Sequence, residues 1–201
     1  MMKSIKYIIG ILLFFSTSCA DEFLEKLPKD QLTEATTFTS SANFATYAWG
    51  FYNTFPGYWD HNTIFRERAS DLMVNNSGTQ GDPLLWQLKT VPSSSSTWTN
   101  AYVSIRRANL MLSNIDNSEM TAAEKDHWRA VGLFFRAYEY VELVATYGAV
   151  PWVDQVLAET DEASLYGPRT PRDEVAKNIL DDLLWAEANI NPAGNGPNTV
   201  N

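Results

Sequence analysis

The single cysteine of this chain, Cys19, sits where its thiol could be alkylated. Lys3 and Lys6 form a basic start, Tyr7 to Phe15 an uncharged run broken by Gly10, and Ser16, Thr17 and Ser18 a stretch of small residues leading up to the thiol. This order predicts a secretory leader. A spanning helix needs about 20 apolar residues, so the run is too short to be a lasting anchor and the leader is expected to be removed. Catalytic chemistry finds little support elsewhere. There is no Gly-x-Ser-x-Gly elbow and no glycine-rich phosphate loop, and neither His61 nor His127 has a second His or Cys at ligand spacing. Asp60, Glu67 and Asp71 cluster, yet nothing around them separates an acid from a nucleophile. Asp154, Glu159, Asp161 and Glu162 fit no EF-hand spacing and read as a solvated loop. The expectation is a protein that is not an enzyme and carries no cofactor.

A cysteine directly after small residues at such a boundary resembles the lipobox of bacterial lipoproteins, whose thiol receives a diacylglycerol and becomes residue one of the mature chain. Ser16 stands where leucine is usual and Ser18 where glycine or alanine is, with Phe15 supplying an apolar side chain one place earlier. The alternative is an ordinary secretory leader and an unpaired thiol in an oxidising compartment, with no second cysteine to pair with it. Lipidation accounts for both facts. Several acyl chains, at about 0.8 kcal/mol per buried CH₂, hold a protein on a membrane effectively permanently. Asp21, Glu22 and Glu25 follow at once. This cluster resembles the surface-export signal of Bacteroidetes lipoproteins; a plain solvated tether is the other reading. Residues 1–18 are thus expected to be a lipoprotein signal peptide, 19–37 a lipid-anchored tether, and 38–201 the body.

Composition narrows the class. The chain has 15 basic and 24 acidic side chains, and loss of Lys3 and Lys6 leaves 13 against 24, a net charge of −11. A nucleic-acid partner is not expected. Aromatic residues make up 13% of the chain, with seven Trp and nine Tyr, enough to fill a core and also to cover apolar faces of ligands. The turn-rich stretch from Asn191 to Asn201 looks like a loop between elements, and the expectation is a truncated chain.

Four helices must position whatever the chain binds. The first starts near Ser40 or Ser41 with Phe44, Tyr47, Ala48, Phe51 and Phe55 on one stripe, and Pro56-Gly57 stops it. The second runs from about Trp98 to Ile115, burying Trp98, Tyr102, Ile105, Ala108, Leu112 and Ile115. The third opens with the capping box Thr121-x-x-Glu124 and buries Trp128, Val131, Phe135, Tyr138 and Val141, with Phe134 and Val144 as a second row. Gly148 and Pro151 end it. The fourth begins at Thr170-Pro171, with the proline in the first helical position, and carries Val175, Ile179, Leu183, Ala186 and Ile190. Asp181 and Asp182 read as solvent-exposed charge. A long irregular segment, Tyr58 to Thr97, separates the first two helices, and loops of that length are usually functional or disordered.

The order of local patterns carries a resemblance. Trp98-x₃-Tyr102-x₂-Ile105-x₂-Ala108-Asn109 precedes Gly132 and Arg136-Ala137-Tyr138. Tyr147-Gly148 and Pro151 follow, then Pro168-Arg169-Thr170-x₃-Glu174-x₄-Ile179-x-Asp181-Asp182-Leu183-x₂-Ala186. Together, behind a lipobox, these resemble the SusD/RagB family of nutrient-binding outer-membrane lipoproteins, over the amino-terminal part of a family member. The resemblance implies a mainly α fold, a tetratricopeptide-like helical scaffold with long irregular loops, incomplete in this chain. It also implies exposure at the cell exterior and a partner, the TonB-dependent transporter of the SusC type. The nutrient cannot be inherited from the family, and an oligosaccharide or polysaccharide is the leading expectation. The alternative is a structural helical-repeat lipoprotein that binds protein partners.

Sugar recognition needs flat aromatic faces over the C–H face of a pyranose, with planar hydrogen-bonding groups at its edge, and loops present both. The candidates are Trp86, Trp59 and Tyr58 with Arg68, Asp71, Asn75 and Asn76, all between the first two helices. Trp86 leads because Leu84-Leu85-Trp86 lies beyond a Gly-Asp-Pro turn and away from the helical stripes. Trp98, Trp128 and Trp185 sit on or near those stripes and are read as core.

Overall fold

The computed structural model describes residues 37–55 and 93–192. Its long elements are helices: α1 (Ser41–Trp49), continued as a 3₁₀ segment (Gly50–Thr54), α2 (Ser96–Asn114), α3 (Ala122–Tyr147), the short α4 (Glu162–Leu165) and α5 (Arg172–Asn189). Among the described residues the extended pairing is a single antiparallel bridge between Val150 and Thr170. The expected signal peptide, the expected tether up to residue 36, Pro56-Gly57 and the predicted binding residues lie outside the described residues.

Each boundary has a local cause. Ser95 caps α2 by accepting from the Trp98 amide at 3.4 Å, so the helix starts two residues before Trp98. Thr121 and Glu124 close a reciprocal capping box on α3, and the hydrogen bonds from the Thr121 amide and hydroxyl hold the Glu124 carboxyl below its usual pKa. Gly148 ends α3 with φ 72°, a region that favours glycine. At the start of α5 the structure corrects the sequence reading. Pro171 is the N-cap itself and makes no side-chain cap. The Thr170 hydroxyl accepts from the Trp152 amide at 3.1 Å, and its own amide donates to Val150 at 3.0 Å, so this threonine fastens the chain after α3 to the start of α5.

α3, about 39 Å long at 1.5 Å per residue, packs against α1, α2 and α5. Two apolar clusters result. One joins Phe38, Phe44, Ala48 and Phe51 to Met111, Ile115, Trp128, Val131 and Phe135. The other joins Ala101 and Ile105 of α2 to Ala137, Tyr140 and Leu143 of α3 and Val175 and Ile179 of α5. Packing on three sides moves the buried arc of α3 from where the stripe predicted it. Ala130, Ala137 and Tyr140 are fully buried, while Phe134 and Val141 are 39% and 46% exposed. Gly132 marks the closest approach of α2: a Cβ there would lie 2.8 Å from Leu112 Cδ2 and 3.1 Å from Met111 Cε. Of the three tryptophans read as core, Trp128 is buried, whereas Trp98 and Trp185 are half-buried with arginine guanidinia over their rings.

The second correction is polar. Asp182 is a part-buried partner, with both its oxygens on Arg136, which is itself 6% exposed. The Arg136 Nη1 donates to Asn109 Oδ1 at 3.0 Å and to the Asp154 carbonyl at 3.1 Å. Asn109 Nδ2 donates in turn to the carbonyls of Val153 and Gln155. Tyr140 Oη accepts from the Val153 amide at 2.6 Å, and burial raises the pKa of that phenol. Two helices, α2 and α3, therefore hold the segment 150–155 by its backbone, and Asp182 of α5 braces Arg136.

Candidate functional site

The α3–α5 register sets one wall of a cavity. Arg136 meets Asp182, and the Asn191 amide donates to His127 Nδ1 at 3.2 Å. The two pairs give one antiparallel register, which sets Phe134 level with Leu184 and Tyr138 level with Leu180. The 3₁₀ segment also packs on α3, through Phe51 and Tyr52 against Phe135. Between them opens a cavity of about 660 Å³ lined by Tyr52 and Phe55, by Val131, Phe134 and Phe135, and by Leu183, Ala186, Glu187 and the residues Ile190 to Pro192. Its volume is within the usual range for small-ligand sites, about 300–1,000 Å³.

Aromatic rings build one wall. Phe135 meets Tyr52 and Phe55 at centroid distances of 5.2 and 5.5 Å, and Phe55 packs edge-on to Tyr138 at 5.0 Å. Partial burial raises the Tyr52 hydroxyl pKa above its ordinary value. The polar side chains of the lining are Tyr52, Glu187 and Asn191. Such a cavity can cover an apolar face and offers few groups to grip hydroxyls. Among the described residues no group of His, Cys, Asp and Glu could hold a metal ion, and Asp161 of the acidic loop caps α4 through Ser164.

Two described residues on either side of the predicted binding residues contact α3: Phe55 packs edge-on to Tyr138, and Ser95 makes a 2.6 Å hydroxyl pair with Tyr147. Those α3 positions are nine residues apart, about 14 Å. At the second contact Trp98 packs against Tyr147 and Tyr102 at 5.0 and 5.2 Å, with the Arg169 guanidinium 5.2 Å from its ring centre. Of the sequence-predicted residues, Tyr58, Trp59, Arg68, Asp71, Asn75, Asn76, Trp86 and Cys19 all lie outside the described residues. The sequence reading missed the wall residues Tyr52 and Phe134 and the network of Asn109, Arg136 and Asp182. Their signal was present: all three network residues fall inside the motifs that carried the resemblance.

Among the described residues, an antiparallel helix pair, α2 and α3, with α5 packed on it makes a tetratricopeptide-like scaffold. Residues 22–192 match the model of a SusD-like family described as starch-binding and associating with the outer membrane, and the chain belongs to that family. Two relatives from Formosa agariphila, SusD-like proteins P25 and P2, are 24% and 26% identical over 94% and 92% of this chain. The chain spans 38% of the length of each. A solved SusD-like protein from Bacteroides fragilis superposes with a TM-score of 0.62 at 23% identity, covering 85% of this chain and 33% of its own. A SusD-like carbohydrate-binding protein from Bacteroides vulgatus gives 0.51 at 20% identity, over 80% of this chain and 38% of its own. These likenesses bear out the mainly α, tetratricopeptide-like fold expected from the sequence.

Proposed function

We propose that this chain is the helical part of a non-catalytic surface lipoprotein that binds a nutrient, a glycan by chemical class, and hands it to a TonB-dependent transporter of the SusC type. The observation that carries the reading is the family match over residues 22–192 placed directly behind Cys19. Cys19 supplies the outer-membrane anchor through its acyl chains. Binding comes from stacking on aromatic rings with edge hydrogen bonds, and the residues assigned to it are Trp86, Trp59 and Tyr58 with Arg68, Asp71, Asn75 and Asn76. The types of these residues support the assignment, since flat rings and planar hydrogen-bonding groups on a loop suit sugar recognition.

The test is a titration of the purified protein with a panel of oligosaccharides, followed by tryptophan fluorescence and by calorimetry. A saturable response to one member is expected, without release of reducing ends. Silence across the panel would overturn the glycan reading, and hydrolysis would overturn the non-catalytic one. Co-purification with a barrel of the SusC type from native membranes checks the transporter partner.

A further inference from the structure

We propose that α5 carries a docking face for a second copy of this chain. Lys177, Leu180, Leu184 and Glu187 follow one another at steps of 3, 4 and 3 residues, the spacing of the seam between two packed helices. At 100° per residue they fall within about 80° of arc. Leu180 and Leu184 are 53% and 54% exposed, while Val175, Ile179 and Ala186 bury the other side of the helix. Single exposed leucines are ordinary. These two form one ridge, which borders the apolar cavity through Leu183 and Glu187.

The order of charges selects the partner. Basic, apolar, apolar, acidic at 3-4-3 spacing is self-complementary when read in the opposite direction. Two α5 helices crossed antiparallel about a dyad between Leu180 and Leu184 set Leu180 against the partner's Leu184, and Lys177 against the partner's Glu187. Symmetry repeats each contact in reverse. A parallel pair would set lysine on lysine and glutamate on glutamate, so the charges fix the antiparallel arrangement. Glu187 makes no ion pair among the described residues. Lys177 is held by Asp181 at 2.6 Å in an exposed i,i+4 pair, the kind that yields readily to a better partner.

Sedimentation equilibrium of the full chain in detergent, with fewer than one protein per micelle, tests the face. A reversible monomer–dimer equilibrium is expected. Leu184→Glu should weaken association about a hundredfold or more, because the dyad removes two contacts at once. Circular dichroism should show its helix content unchanged. Lys177→Glu and Glu187→Lys should each weaken the dimer, and the two together should restore it, since the swapped charges oppose one another again. This charge swap decides the matter should Leu184→Glu fail to fold. A monomer at every concentration, which would leave the ridge to further polypeptide or to a different chain, overturns the proposal. So does a dimer whose strength ignores the charge changes.

Discussion

Arg136 of α3 and Asp182 of α5 form a two-pronged ion pair, Nε to Oδ2 and Nη2 to Oδ1, each at 2.8 Å, with side chains 7% and 12% exposed. Removing one member leaves the other charge buried, which typically costs about 3–5 kcal/mol, whereas replacing both with apolar side chains is often far milder. Asp182→Ala and Arg136→Leu are therefore each expected to cost about 3 kcal/mol or more, and Arg136→Leu with Asp182→Leu less than the two singles combined. Urea unfolding of the four proteins measures the coupling. Strict additivity would mean that the pair does not act as a unit.

Gly132 is packed by α2 rather than required by its backbone. Alanine there regains about 1 kcal/mol of helix propensity but must move Leu112, whose Cδ2 and Cγ would lie 2.8 and 3.0 Å from the new Cβ. Gly132→Ala is expected to be close to neutral. Gly132→Leu has no such room and should destabilise by about 1–3 kcal/mol. A melting midpoint unchanged by leucine would show that the two helices separate at little cost.

Helix positions were legible because caps and apolar period are local: Thr121 with Glu124, Gly148, and the row from Val175 to Ala186 all stand where the sequence put them. Asp182 was not. Its neighbour Asp181 does face solvent beside Lys177, and nothing within one turn of α5 announces that Arg136, 46 residues earlier, will close over the second carboxylate. Phe134 and Val141 failed for a related reason. A period gives the angle of a stripe on a helix but not how many neighbours share its flanks, and α5 brings Val175 and Ile179 into the cluster that holds Ala137. The cavity was hidden too, since its walls come from three separate elements.

Cys19→Ala should release the protein from membranes, because the acyl chains on that thiol are the anchor the proposed function assigns. Growth with labelled palmitate gives a direct reading. Wild-type protein is expected to carry label and to sediment with the outer membrane, and the variant to do neither. Unlabelled wild-type protein in the soluble fraction would refute the lipoprotein assignment.

Trp86→Ala should weaken glycan binding and leave the fold intact. A ring used as a sugar platform adds little to the core, whereas truncating a buried tryptophan costs about 3–5 kcal/mol. Calorimetric titration and a thermal melt on one preparation separate the cases. A collapsed melt places Trp86 in the core and transfers the platform role to Trp59 and Tyr58; unchanged binding with an unchanged melt removes it from the site.

Glu139 should make the fold sensitive to pH. Its carboxyl is 7% exposed on α3, accepts from the Thr54 hydroxyl at the end of the 3₁₀ segment, and is also hydrogen-bonded to Ser104 of α2. Burial raises its pKa above the ordinary 4.5, outweighing the lowering by those two hydroxyls, with Glu142 adding to the rise. A raised carboxyl pKa means that the folded state holds its proton more tightly than the unfolded state. The stabilisation is fully present below the unfolded value and is lost as pH rises through the folded one. Glu139→Gln keeps the shape and an acceptor for Thr54 while removing the buried charge. At pH 7 it is expected to raise the melting midpoint by about 2–4 °C, the shift that 1 kcal/mol produces in a chain of this size. Below pH 4, where Glu139 is already neutral in both states, that advantage should vanish. Melts of both proteins from pH 3 to pH 8 read the difference, and a gap that stays constant across the range would show that Glu139 does not titrate between the two states.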